Sequence, residues 1–408
     1  MKSGPRVFCL LILGGMAWSQ QGRLQLDDLV AEAVANNPEI AAARKRFQAA
    51  MQRPSQQTAL PDLVFTPGYA SNGHPWPGAG LGVWPTSHVG ATLSQEFPFP
   101  GKRTLRGGIA LKEAEAAAHE YELARLSVIS RLKTAYHHLQ YAYTALDLLT
   151  RNRDLLRKLR RLTETPYFAG QAAQQAQVSV LETRLARMEQ EKRSREGEIN
   201  KLCKRPLVSP LARPEDMRPP KLAMTLDELL ARAAGNAPLL RREQRLVERN
   251  ELALKLARKE YYPDYELSAG YFAMGRMPDL YDFRVSIRLP LYWRKRAGGV
   301  AEQRYSLEQA RSNYEATSQD LLFEIRNEHQ KAQTAFRLIA AYADTVLPEV
   351  NRALESYLAA YEAGTVDFMA VQASFMSAVE AELGYYGEIL DCYLALVRLE
   401  ELTGISPG

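Results

Sequence analysis

The segment EFPFPGKR (residues 96–103) opens a long proline-free stretch of the chain that closes at TPYFAGQ (165–171). Between these segments, apolar residues recur every three or four positions among residues that favour helix. They are Leu126, Ile129, Leu132, Tyr136, Leu139, Tyr143, Leu146 and Leu149. The pattern predicts one amphipathic helix about 90 Å long, several times the width of an ordinary domain. Because no globular core could cover such a rod, it must lie in a bundle or coiled coil of similar rods.

The landmarks around this helix occur twice in the chain. The motif Leu-Asp-x-Leu followed by Asn-x-Pro is found at 26–38 and again at 226–238, and the Tyr-x-Ala-Gly turn at 167–170 returns at 361–364. The other pairs are Leu60-Pro61-Asp62 with Tyr262-Pro263-Asp264, and Gly107-Gly108 with Gly298-Gly299. All pairs keep the same order, so the chain is one architecture written twice.

The repeat divides the chain into two halves. Repeat 1 is predicted at 20–204 and repeat 2 at 223–408, with a proline-rich linker at 205–222. Each half is predicted to contain short helices, a strand pair and a long helical hairpin, so the fold is mainly α with a small β part. The predicted elements are strands at about 62–70 and 86–97 with a hairpin at about 103–202, then strands at about 264–273 and 280–289 with a hairpin at about 297–402.

Two features are expected to shape the hairpins. At each turn a glycine, Gly170 or Gly364, should adopt the left-handed backbone that ends a helix. In the second hairpin Pro348 should bend or break the long helix, whereas the first hairpin has no proline there.

Residues 1–19 have the pattern of a secretory signal peptide. Basic residues precede an apolar run at 7–13, and small residues follow it. We therefore expect export and cleavage before Gln20, because the apolar run is short for an uncleaved anchor helix. No later segment has about eighteen uninterrupted apolar residues, so any membrane role must fall to elements other than a spanning helix.

Composition argues against several classes of function. The net charge of +5 over 408 residues is too mild to indicate nucleic acid. The one strongly basic run, at 151–161, lies among leucines at helical spacing, which favours a solvated helix face. Cys203 and Cys392 are too few for a disulfide framework and lack metal-ligand spacing, so packed thiols are the favoured interpretation.

No catalytic, cofactor or metal site is evident. His119, the His137-His138 pair and His329 lie on predicted helices at spacings that converge on no shared site. The strand connections carry residues that could contact a metal ion weakly, although external loops with an aromatic girdle explain them better. They are His74, Trp76, Trp84, His88, Met274 and Met277. Nucleophile-elbow, phosphate-loop and dinucleotide motifs are missing, so a non-enzyme without a cofactor is predicted.

The predicted strands alternate between apolar and polar residues. Each run is about ten residues, which suits a tilted strand that crosses a bilayer, although a soluble hairpin buried on one face shows the same alternation. Four strands cannot close into a barrel, and open edges are not tolerated in lipid. A membrane role therefore requires two or three chains to share one barrel of eight or twelve strands. The residues expected to line its water-filled lumen are Glu96, Asp264, Glu266, Asp282, Arg284 and Arg288.

Taken together, these features resemble the TolC-like outer-membrane efflux family. The resemblance rests on the doubled plan, the Asn-x-Pro starts, FPFPGKR at 97–103 and the two Tyr-x-Ala-Gly turns, and it covers nearly the whole mature chain. It implies a homotrimer whose twelve-stranded outer-membrane β-barrel continues as a long periplasmic α-helical barrel. It also implies docking, through a periplasmic adaptor, to an inner-membrane pump of RND or ABC type. The FPFPGKR segment most resembles the branch that serves heavy-metal and cation pumps.

The resemblance assigns roles to few positions. The two turns match the periplasmic tips, where docking and pore closure would occur: Tyr167, Gly170, Gln171, Tyr361, Gly364 and Thr365. Some family members carry acidic residues six and nine positions after the second tip glycine. Here those positions are Ala370 and Ala373, so an acidic constricting ring is not expected. Asp367 is the only acid nearby, and we hypothesise that it contributes to the constriction.

Three functions remain open from the sequence. The first is the exit duct of a tripartite efflux system for metal cations or small toxic compounds. The second is the outer-membrane component of a type I protein secretion system. The third is a secreted coiled-coil scaffold whose strand pairs pack on its own helices.

Overall fold

The computed structural model describes residues 23–71, 75–162, 168–221 and 224–405, and for 158–162 and 168–178 it describes the backbone alone. The predicted signal peptide and Tyr167 lie outside these residues. The first half contains α1 (Leu26–Asn36), α2 (Pro38–Ala50), α3 (Arg53–Thr58), β1 (Val64–Ala70), β2 (His88–Phe97), α4 (Lys102–Leu162) and α5 (Phe168–Leu202). The second contains α6 (Leu226–Asn236), α7 (Pro238–Lys259), β3 (Asp264–Ala273), β4 (Leu280–Arg288), α8 (Trp293–Ala341), a π-helical turn (Tyr342–Val346), α9 (Leu347–Glu362) and α10 (Phe368–Thr403).

Over the described residues, the two halves have the same plan with two differences between them. One is the π-helical turn before α9, which interrupts the second hairpin. The other is a short extra helix, α3, between α2 and β1 in the first half, whereas in the second half α7 is longer than α2 and residues 260–263 connect it to β3. The strands start at 64 and 88 where the sequence suggested 62 and 86, and α8 starts at Trp293 where it suggested 297.

Helix starts follow from capping side chains. The Asn37 side chain accepts hydrogen bonds from the backbone N–H groups of Glu39 (2.8 Å) and Ile40 (3.3 Å), and so caps α2. Its amide also donates to the Leu202 carbonyl (2.9 Å), which fastens the start of α2 to the end of α5. In the second half Thr225 and Glu228 form a reciprocal capping box on α6.

The long helices cover one another. α4 packs against α5, α7 and α10, and α8 packs against α7 and α10. In the first half the core includes Leu132 and Leu139, whereas Ile325 and Ile389 are fully buried in that of the second. A third cluster, around Phe375, joins α4, α5 and α10. The rods therefore stabilise one another by burying apolar stripes, which is how the sequence pattern accounts for helices this long.

The linker is irregular but firmly attached. Leu24 forms a parallel bridge with Pro214, and the Asn200 side chain donates to the Ser209 carbonyl (2.8 Å). Arg205 pairs with Glu32 on α1. The chain between the halves is therefore held along the first repeat rather than swinging freely between the two.

The long helix of the second hairpin is interrupted next to Pro348, as predicted from the sequence. A π-helical turn immediately precedes α9, which carries Pro348 in its first turn, because proline cannot supply the N–H for the regular helical ladder. The Tyr342 ring lies close against Gly384, where an added Cβ would come within 2.7 Å of the Tyr342 hydroxyl.

The two tip glycines differ. Gly364 has a φ of 71° and ends α9, as predicted. The expectation for Gly170 is wrong: α5 already begins at Phe168, so Gly170 lies in its first helical turn.

The most buried charge in the structure lies where β2 leads into α4. Lys102 is 1% exposed, and its ammonium group donates to an Asp264 carboxylate oxygen (2.9 Å), the Tyr262 carbonyl (3.0 Å) and Glu260 (3.3 Å). An ammonium group has three protons to donate, and each finds an acceptor. The same Asp264 oxygen accepts the Phe99 N–H (2.7 Å). This Lys102 cluster ties the FPFPGKR segment to the start of β3.

We expect Lys102→Met to destabilise the folded protein strongly. Removing one partner of a buried ion pair costs about 3–5 kcal/mol, because the remaining charges stay buried without compensation. The measurement is the temperature at which the purified protein loses its helical circular dichroism in detergent.

Lys112→Met provides the matched control. Lys112 also pairs with two carboxylates, Glu115 and Glu248, both at 2.9 Å, but its side chain is 24% exposed. Its loss should cost about 1 kcal/mol or less. Equal effects of the two substitutions would show that burial does not set the strength of the Lys102 cluster.

Candidate channel-forming surfaces

The four strands form one antiparallel sheet in the order β1-β2-β3-β4. Glu96 on β2 is paired with Glu266 on β3, while Asp264 and Ser268 on β3 are paired with Arg288 and Arg284 on β4. Directly paired residues share a face of the sheet. This register therefore places every second residue of all four strands on one side.

One face of the sheet is apolar and exposed. Phe283 in the middle of β4 is 79% exposed. Other large apolar residues exposed on this face are Phe65, Leu93, Leu267, Tyr271, Tyr281, Val285 and Ile287. A continuous apolar surface of this kind is costly in water, and it marks contact with lipid or with another protein.

The opposite face is polar and charged. All six residues predicted to line a lumen lie on it. Arg288 forms an ion pair with Glu96 (3.0 Å), and Arg284 forms one with Asp282 (3.0 Å). Asp264 differs from the rest, because its carboxylate is turned into the Lys102 cluster and only 16% of its side chain is exposed.

The sheet ends in unpaired strands. Within the described residues β1 pairs with β2 alone and β4 pairs with β3 alone, which leaves one edge of each outer strand open. An open edge next to an apolar face is unstable in lipid because its backbone N–H and C=O groups have no partner there. Strands from further copies of the chain could pair with these open edges.

Aromatic residues mark both ends of the sheet. At the end next to the long helices Tyr292 and Trp293 are exposed, and the Trp293 ring lies 5.8 Å from that of Tyr261. At the far end Trp76 and Trp84 in the β1–β2 connection are exposed. A membrane-spanning barrel typically carries a girdle of aromatic residues at each of its two membrane boundaries.

His137 and His88 pack against neighbouring side chains. His137 is buried, bonds through Nδ1 to the Gln140 side chain (2.8 Å) and stacks on Tyr393. Burial lowers the pKa of His137 to about 4, so it is neutral at physiological pH. His88 packs edge-on against Phe272, and His74 lies outside the described residues.

The described residues contain no cluster of three or more metal-ligating side chains and no helix apolar and long enough to cross a bilayer. Cys203 and Cys392 are buried thiols without a disulfide bond. Burial raises the pKa of each thiol to about 11, so they are packing residues rather than reactive groups.

At the second tip, Asp367 caps a helix. Its carboxylate accepts the Ala370 N–H (3.0 Å) at the start of α10, and its side chain is exposed. Thr365 bonds to the Ala360 carbonyl, and the Tyr361 ring contacts that of Phe368. The tip is thus a compact turn. At the first tip, Gly170 and Gln171 lie in α5.

A family model described as outer membrane efflux protein matches residues 29–197 and 229–404 of the chain. The chain belongs to the outer membrane efflux protein family. The two matched stretches correspond to the two repeats, and together they span most of the sequence. No curated protein matches the chain closely enough to count as a relative.

Solved outer-membrane proteins share the fold. The chain is similar to VceC of Vibrio cholerae, with 18% identity, coverage of 94% of this chain and 97% of that one, and a TM-score of 0.80. It is similar to the open state of the Neisseria gonorrhoeae MtrE channel, with 17% identity, coverage of 93% and 88%, and a TM-score of 0.79. It is also similar to the Campylobacter jejuni CmeC channel, with 15% identity, coverage of 93% of this chain and 85% of that one, and a TM-score of 0.79.

The family settles the protein's location and fold class. It is an outer-membrane efflux channel with a large periplasmic helical portion, and its fold is that of TolC-like channels, as the resemblance implied. The family is one of transport proteins rather than enzymes. The secreted scaffold is therefore the wrong alternative. We predict that the exposed apolar face of the sheet is the surface that meets lipid.

We expect Phe283→Lys to impair insertion and folding. A lysine near the middle of a lipid-facing strand costs about 2–4 kcal/mol, whereas an exposed phenylalanine in water could be replaced at little cost. The measurement is the fraction of folded, heat-resistant protein recovered in outer membranes.

Ser286→Lys serves as the control, because Ser286 lies on the polar face of the same strand. It should fold like the parent protein. Equal losses from both substitutions would mean that the apolar face does not meet lipid.

Asp367→Asn tests the constriction hypothesis without disturbing the turn. Asparagine caps helices as well as aspartate does, so only the charge is lost. We expect a lower preference for cations over anions, read from the reversal potential of the reconstituted channel in a salt gradient.

Asp367→Ala removes the cap as well, at a cost of about 1 kcal/mol. If Asp367→Asn leaves the selectivity unchanged while Asp367→Ala alters conductance, Asp367 acts as a structural cap and the constriction lies elsewhere.

Proposed function

We propose that three copies of this chain form the exit duct of a tripartite efflux system. The observation that carries this is the four-stranded sheet with two open edges, one apolar exposed face and one charged face. Three copies supply twelve strands, which closes every edge and leaves room for a water-filled channel. Two copies would give eight strands and an interior filled by side chains.

The charged face would line the duct. With Asp264 held by Lys102, its remaining charges are those of Glu96, Glu266, Asp282, Arg284 and Arg288. Acids and bases are mixed and two ion pairs form among them. A balanced lining of this kind favours a passage for varied solutes over a filter for one ion.

The long hairpins would continue the duct through the periplasm. Their tips would dock a periplasmic adaptor and an inner-membrane pump of RND or ABC type, and no nucleic acid takes part. We propose Tyr167, Gly170, Gln171, Tyr361, Gly364 and Thr365 as the docking positions. The cargo would be metal cations or small toxic compounds. Outer-membrane location requires export, in keeping with a signal peptide at 1–19.

The decisive test combines mass and conductance. We expect the purified protein to have the mass of a trimer in detergent and to conduct ions in a planar bilayer, with small currents because the tips close the duct. A monomer without conductance would overturn the proposal.

The cargo is tested in cells. Deletion of the gene should raise the cellular content of a metal or of a small toxic dye, and the plasmid-borne gene should reverse this. If instead a protein fails to appear in the culture medium, the duct serves type I secretion.

A further inference from the structure

The two halves differ where the sheet leads into the long helices. In the first half the segment is FPFPGKR (97–103), and in the second it is LPLYWRKR (289–296). Both join a strand to the start of a long helix, α4 or α8. The basic side chains of the two segments differ in their bonding partners.

The cations of the first junction are all bound inside the chain. Lys102 is enclosed by its cluster, Arg103 donates to the Thr58 carbonyl (2.8 Å), and Arg106 pairs with Glu260 (3.7 Å). Lys102 and Arg106 are thus paired with carboxylates, and the Arg103 guanidinium is held by a backbone carbonyl. The first junction therefore uses its positive charge to hold the fold.

The cations of the second junction have no such partners. Arg294 and Lys295 are exposed, and neither forms an ion pair with any described residue. The first turn of α8 contains no acid. The Nε atom of Arg296 is buried without a hydrogen-bond partner in the described structure.

Three cations deeper along α8 form ion pairs. Arg304 pairs with Glu308, Arg311 with Glu251, and Lys331 with Glu328. Basic residues in the first turn of a helix are also unfavourable, because the helix N-terminus is itself electropositive. Arg326 and Arg337 are exposed and form no ion pair with a described residue, but each stands alone on α8. The first turn of α8 differs because it brings together three cations that form no ion pair with a described residue.

The surroundings place this cluster at a membrane boundary. Phe283, Val285, Ile287 and Leu289 form an exposed apolar column that leads down β4 to Trp293. An exposed arginine in the last turn of α7, Arg258, adds charge nearby, since Tyr261 just beyond it contacts the Trp293 ring. Apolar column, aromatic belt and cations follow in the order of acyl chains, interface and headgroups.

We propose that Arg294, Lys295 and Arg296 bind the phosphate headgroup of an anionic phospholipid in the periplasmic leaflet of the outer membrane. This rests on the outer-membrane location of the sheet. The guanidinium and ammonium groups bind the phosphate, and the acyl chains lie along the apolar column of β4. One such site per chain fixes the depth of the barrel in the bilayer.

Trp293 is a built-in reporter for the test. With Trp76→Phe and Trp84→Phe it is the sole tryptophan of a chain cleaved before Gln20. We would reconstitute this protein in phosphatidylcholine bilayers and compare quenching of Trp293 by brominated phosphatidylglycerol and brominated phosphatidylcholine. We expect a preference for phosphatidylglycerol of about fivefold for each cation engaged, equivalent to about 1 kcal/mol.

Charge variants separate the site from general attraction. Arg294→Gln with Lys295→Gln should bring the preference close to one. Arg304→Gln with Arg311→Gln removes the same charge about 15 to 25 Å further along the helix and should leave the preference unchanged. Arg294→Lys with Lys295→Arg keeps the charge and should keep the preference. Heat resistance of each variant confirms that it is folded.

The outcomes distinguish the lipid site from the channel itself. Equal quenching by the two lipids overturns the lipid site while leaving the duct in place. Failure of every brominated lipid to quench Trp293 would mean that the base of β4 lies outside the membrane, and the channel placement would fail too. Loss of the preference on adding inorganic phosphate at constant ionic strength would assign the cluster to soluble anions and overturn the proposal.

Discussion

A single buried lysine holds the membrane part of this protein to its helical part. Lys102 lies where a strand becomes a helix, and its ammonium group is shared among Asp264, Glu260 and the Tyr262 carbonyl. These acceptors come from the other repeat, so the cluster also joins the two halves of the chain. A buried charge is tolerable when every proton has an acceptor, and its geometry is then strict. The start of α4 is therefore held against the start of β3 by ionic hydrogen bonds, with Phe99 stacked on Tyr262 beside them.

The sheet imposes the next constraint. Its register places charges on one face and large apolar side chains on the other, and its outer strands lack partners within the chain. Such a surface is unstable in water and incomplete in lipid. In the proposed trimer, a bilayer and two further copies would cover this surface, which accounts for the apolar surface that a single chain exposes.

Much of this could be predicted from the sequence, for physical reasons. Side chains alternate strictly along a strand, so the faces of the sheet could be assigned before any pairing was known. The length of the long helix could be predicted from apolar residues that recur every three or four positions. The duplication could be predicted because the same motifs occur twice in the same order. The Lys102 cluster could not be found this way, because its partners lie about 160 residues away in the chain. The cap by Asp367 was within reach, since an aspartate three residues before a helical N–H is a local pattern. The prediction for Gly170 was wrong because the glycine of the same motif follows a helix at the second tip but lies inside α5 at the first.

The π-helical turn at Tyr342–Val346 gives the second hairpin a property that the described part of the first lacks. Such a turn inserts one extra residue into a helix, and one residue corresponds to a rotation of about 100° around the axis. Side chains on α9 are therefore rotated about the helix axis relative to the positions that an uninterrupted α8 would give them. The same helix can then present one stripe to its neighbours near the membrane and a different stripe near the tip, so a straight seam between the rods need not extend over their whole length.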